Sequence, residues 1–118
     1  MVLISVWLAL IIGRAIIDYK LISKNKTIDH TENAIVTCTL AVILCIIVKS
    51  AALFPVLLNI HWIAFDVVLN YLRNLPLQYL GRSAWTDRVL KVYSKGHVIL
   101  FKTVLLVIFV TIYKLTNL

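Results

Sequence analysis

Four apolar runs, separated by stretches that collect most of the charge, constrain this chain more than any other feature: 2–17, 34–48, 51–72 and 97–113. With their flanking residues, each approaches the roughly 17–25 residues that a helix needs to cross a bilayer. A soluble domain of 118 residues has no core large enough to hide them. Hydrophobic residues make up 62% of the chain and charged residues 14%, where soluble domains carry about 45–50% and about 25%. Apolar surface on that scale aggregates in water. The pattern therefore predicts an all-α polytopic membrane bundle over residues 1–118. Its four transmembrane helices are expected near 2–19, 33–48, 51–72 and 97–113, with cytoplasmic loops at 20–32 and 73–96.

The third segment is the least pure, and it has two other readings: a continuation of the second helix past a kink, or an amphipathic helix along the interface. The distribution of positive charge decides between them. Four spans put both long loops on one side, with Lys20, Lys24, Lys26, Arg73, Arg82, Arg88, Lys91 and Lys95, and leave only Lys49 and Lys114 on the other. The positive-inside rule then makes the loops cytoplasmic and both termini external. With three spans the two basic loops would lie on opposite sides and the asymmetry would largely vanish. The tight turn at Lys49 and Ser50 is the awkward point of this topology. The amino terminus has no basic leader region and no small-residue cleavage site, so the first helix is expected to be retained.

The net charge of +7 would suggest nucleic acid in a soluble protein. Here its concentration in the loops is explained by topology, and no nucleic-acid partner is expected. Between the third and fourth spans, Pro76 and Gly81 punctuate the chain. Ser83 is placed to cap a short helix ending near Gly96. On it Trp85, Val89, Val92 and Tyr93 share one face, and Arg88, Lys91 and Lys95 the other. Together with Arg82, this is the pattern of a short basic helix on an anionic leaflet, or of a partner contact beneath the bundle.

Charges inside a span cost about 2.5–3.5 kcal/mol each at mid-bilayer, so each needs a reason. Arg14 and Asp18 close the first span, Asp66, Asn70 and Arg73 the third, and Lys102 opens the fourth; the four-span orientation sets them at one level. Asn59, Asp66, Asn70 and Arg73 follow one another at intervals of seven, four and three, so they form a single helical stripe that includes Trp62. A polar stripe in lipid must turn toward protein or water. As structure, the seam is interhelical glue, with Asp66 neutralising Arg14 or Lys102. As function, it is a path for ions or protons with Asp66 as the acidic site. Snorkelling accounts for part of it, since Arg14 and Lys102 can reach the interface unaided.

No catalytic, cofactor or metal site is expected. His30, His61 and His97 are scattered, and His61 reads as a packing residue near mid-bilayer. No nucleophile motif, phosphate loop or paired catalytic carboxylates are present. Cys38 and Cys45, seven residues apart, lie about 10 Å apart along a helix, beyond disulfide reach, and read as free thiols.

The segment Phe65-Asp66, Asn70 and Arg73-Asn74-Leu75-Pro76-Leu77-Gln78-Tyr79-Leu80-Gly81-Arg82-Ser83-Ala84-Trp85-Thr86-Asp87-Arg88 resembles a motif of small membrane proteins encoded by phages and mobile elements. It covers 24 of the 118 residues. The resemblance implies a bacterial cytoplasmic membrane or a phage membrane as the setting, and no activity. The expected function is non-catalytic: a protein that self-assembles, or scaffolds another membrane or capsid protein, structural or holin-like. Its short, weakly charged end, Tyr113-Lys-Leu-Thr-Asn-Leu, departs from the charged tail common in holins. A small channel built on Asp66 is the alternative, and an intramembrane enzyme using His61 and Asp66 comes third.

Overall fold

A computed structural model describes residues 2–28, 30–77, 79, 89, 91 and 97–117, and of His30 the backbone alone. Four long helices account for most of them: α1 (Val2–Ser23), α2 (His30–Val48), α3 (Leu53–Leu72) and α4 (Val98–Thr116). The fold among the described residues is all-α. Each helix is long and apolar enough to cross a membrane. The shortest, with 19 residues, measures about 28 Å, close to the ~30 Å hydrocarbon thickness.

The helix ends follow backbone chemistry more closely than hydropathy. α2 starts at His30 and not at residue 33, because helical hydrogen bonding carries Thr31 and Glu32 into the first turn although both are exposed. Thr31 and Asn33, residue types that would cap a helix opening at residue 34, therefore lie inside the helix. Three helices stop in the same way. Asn25, Lys49 and Asn74 adopt left-handed backbone, with φ of 57°, 58° and 54°. In each case the next amide reaches back five residues: Lys26 to Leu21 at 2.9 Å, Ser50 to Cys45 at 3.0 Å, and Leu75 to Asn70 at 2.9 Å. These are Schellman caps. The cap at Lys49 resolves the tight α2–α3 turn, because it reverses the chain within four residues before Leu53 opens α3. Pro55 sits in the first turn of α3, where its missing N–H leaves nothing unsatisfied.

α3 is the hub. It packs against α1, α2 and α4, and among the described residues no other pair of helices approaches as closely along the backbone. The α1 stripe Trp7, Ile11 and Ala15 is buried, with Asp18 continuing it. Trp7 and Ile11 join Leu53, Val56 and Leu57 of α3 and Ala41 of α2 in one apolar core. Val98 of α4 makes a second, smaller contact with Trp62 and Phe101. α2 is peripheral: Ala41 is its one fully buried side chain among those described, while Ile46 and Ile47 are each about two-thirds exposed.

The outward faces are apolar, and their few hydroxyls are satisfied locally. Exposed Thr39, Thr103 and Thr111 each donate to the carbonyl one turn back, at 2.8, 2.7 and 2.8 Å. A hydroxyl satisfied by its own helix needs no water, which suits a surface facing hydrocarbon.

Candidate functional site: two polar clusters between the helices

The charged residues expected at one level separate into two ion pairs. In the first, the Asp66 carboxylate of α3 binds the Lys102 ammonium of α4, and Lys102 is 2% exposed. The ammonium also lies 3.5 Å from the Trp62 carbonyl and 4.7 Å from the centroid of the Trp62 ring. One cation thus has a carboxylate, a carbonyl and a π face around it, a cage that offsets much of its desolvation. Trp62 and Asp66 are one turn apart, so the stripe turns toward α4.

In the second pair, Arg14 Nε lies 3.6 Å from Asp18 Oδ1, one turn along α1. That distance permits ion pairing but is too long for a hydrogen bond. The hydrogen bonds come from Asn33 on α2. Its Oδ1 accepts from Arg14 Nη2, and its Nδ2 donates to Asp18 Oδ2 at 2.8 Å. A primary amide carries one acceptor and two donors, so one asparagine complements both charges at once. Asn33 is therefore the polar clasp between α1 and α2. Its place near the start of an apolar run suggests a helix cap and hides this role. The usable signal was an isolated amide opening an otherwise apolar helix, on the level of an Arg–Asp pair four residues apart.

The remaining stripe residues have separate roles. Asn59 is buried, at 3% exposure, and its Oδ1 has no hydrogen-bond partner among the described residues. Asn70 Nδ2 donates to the carbonyls of Leu77 at 3.2 Å and Tyr79 at 3.0 Å, and so pins the chain leaving α3 back onto its helix. Arg73 occupies the C-cap position and is exposed, outside the seam. Asp66 pairs with Lys102, and Arg14 is held instead by Asp18 and Asn33.

Between α1 and α3, the Trp7 indole N–H donates to the Leu57 carbonyl at 2.9 Å. His61 stacks on Phe65 with centroids 5.3 Å apart and tilts against Trp7 at 6.3 Å. Trp7 was passed over in the sequence, although a tryptophan buried in an apolar setting needs a partner for its N–H. Cys38 is exposed, Cys45 half-buried, and both are free thiols. Among the described residues no three His, Cys, Asp or Glu side chains converge as a metal site would require. Of the expected surface helix, Val89 and Lys91 are helical and exposed. Arg82, Trp85, Arg88, Tyr93 and Lys95, with the Ser83 cap and Gly96, lie outside the described residues. The chain matches no protein-family model, no curated protein and no solved structure.

Proposed function

We propose that the chain is a non-catalytic integral membrane protein that crosses the bilayer four times and assembles with itself or scaffolds another membrane protein. The observation that carries this reading is how the intramembrane charges are used. Lys102 is enclosed by Asp66 and Trp62, and Arg14 and Asp18 share Asn33, so both pairs bind one part of the bundle to another. A conduction path needs sites that bind an ion and release it, and a carboxylate held by a buried lysine is poorly suited to that. The apolar outer faces of α2 and α4 supply the surface for lipid or for assembly. The setting is a bacterial or phage membrane. In a holin-like form the chain kills a bacterial host on overexpression, whereas a scaffold is tolerated.

A second reading has one observation in its favour. Asn59, whose buried oxygen has no partner among the described residues, lies on the same stripe as Asp66, two turns away, and offers a foothold for water along that stripe. A small proton or ion channel would use that foothold.

The test is reconstitution of the purified chain in liposomes, with single cysteines at Lys24, Ser50 and Asn117 on a Cys38→Ser/Cys45→Ser background. Labelling of Lys24 on one side, Ser50 and Asn117 on the other, and flux no higher than in empty vesicles is the expected result. Flux that disappears in a correctly inserted Asp66→Asn protein would overturn it in favour of conduction.

A further inference from the structure

α1 and α2 are joined by the Asn33 clasp, yet their backbones stand apart, and a groove of about 300 Å³ runs between them. That volume is at the lower end of the roughly 300–1,000 Å³ typical of small-ligand sites. Its walls are mostly apolar, Leu10, Gly13 and Ile17 from α1 with Val36 and Leu40 from α2, while Thr37 of α2 and His61 of α3 also line it. Leu10, Ile17 and Val36 are exposed, so the groove opens outward. Gly13 leaves a gap in the α1 wall, since a Cβ there would meet nothing within 4 Å.

What lies beyond the groove identifies its occupant. Leu10, Gly13 and Ile17 are spaced three and four apart, the same stripe continues at Lys20, and Lys24 follows just past the end of α1; both lysines are exposed. From Leu10 to Lys20 is about 15 Å along the helix, the depth of one leaflet of a ~30 Å hydrocarbon core. The groove's α1 lining ends at Ile17, and the lysines follow one and two turns beyond it, at the depth of a headgroup; that order matches an acyl chain carrying an anionic head. Arg14 also lines the groove, and the acidic group beside it, Asp18, is buried and engaged by Asn33. A second copy of the chain would bring its own lysines against these at the same level.

We propose that the α1–α2 groove seats one acyl chain of an anionic phospholipid whose phosphate is held by Lys20 and Lys24. The site rests on the four-span reading but fails independently of it. The probes are phosphatidylglycerol and phosphatidylcholine, titrated onto the full chain in detergent and counted as bound adducts by native mass spectrometry. One tightly held phosphatidylglycerol is expected. Each lysine contributes about fivefold to affinity near an anionic surface. Lys20→Gln/Lys24→Gln should therefore weaken phosphatidylglycerol roughly 25-fold, by the same constant, and leave phosphatidylcholine unchanged. Gly13→Leu has room for its side chain and raises helix propensity, so it should fold and lose the adduct; Val36→Trp closes the groove from α2 with the same result. Equal retention of both lipids, or an adduct unchanged when the groove is filled in a folded variant, would overturn the proposal. So would a lipid-free dimer that Gly13→Leu dissociates, since a second copy would then occupy the groove. Failure of Lys24 and Ser50 to label from opposite sides would remove the four-span reading and the site together.

Discussion

Arg14 and Asp18 share one helix, four residues apart, whereas Asp66 and Lys102 come from two helices and meet only because α3 and α4 pack together. The first pair can neutralise itself as soon as α1 forms, so its charges stay matched whatever the rest of the chain does. The second leaves each helix carrying an unmatched charge until the two associate, and so makes helix association a condition of neutrality. Asn33 adds association to the first pair, through hydrogen bonds and without charge. A local pair lowers the cost of placing charge in a membrane, while a distant pair also specifies which helices meet.

The sharpest way to break this contrast is Asp66→Asn. It strands a lysine with 2% exposure, so a loss of about 3–5 kcal/mol is expected in an unfolding titration in mixed micelles. Replacing both partners, as Asp66→Leu/Lys102→Met, should recover most of that loss. Asn33→Leu comes next. It leaves the Arg14–Asp18 pair intact but removes both bonds to α2, at a cost of about 1–3 kcal/mol. Hydrogen exchange should rise in α2 and stay low where α1 meets α3. Trp7→Phe keeps an aromatic ring but a smaller one and loses the bond to Leu57, at about 1–2 kcal/mol, and loosens α1 on α3 alone. The smallest change has the opposite sign: Lys49→Gly relieves a left-handed backbone at the α2–α3 turn and should stabilise by about 0.5–1 kcal/mol.

What the sequence made legible was whatever depends on composition along one helix. Four apolar runs marked four helices, and intervals of seven and four marked Asn59, Asp66 and Asn70 as one face of α3. Choices between helices were not legible. Arg14 and Lys102 are expected at the same level, so depth alone could not assign a partner to Asp66; the assignment depends on which face of α3 meets α4. Arg73 continues the α3 spacing arithmetically but falls at the C-cap, where the helix ends and the side chain is exposed. Asn33 lay hidden because its role requires two partners fifteen and nineteen residues away on another helix. The turn at Lys49 carries no compositional mark, since glycine or asparagine is the usual sign of a left-handed cap. For residues 84–88, 90 and 92–94, which lie outside the described residues, the expectation of a basic surface helix stands on spacing alone.

A double-mutant cycle on Asp66 and Lys102, measured as reversible unfolding in lipid bicelles, tests the central claim most directly. If the pair holds α3 to α4, Asp66→Leu and Lys102→Met should each destabilise, the double variant should be close to the parent, and the coupling should exceed about 1.5 kcal/mol, within the range for residues in contact. Additive losses, with no coupling between the two positions, would contradict the account and return both charges to the status of independent groups.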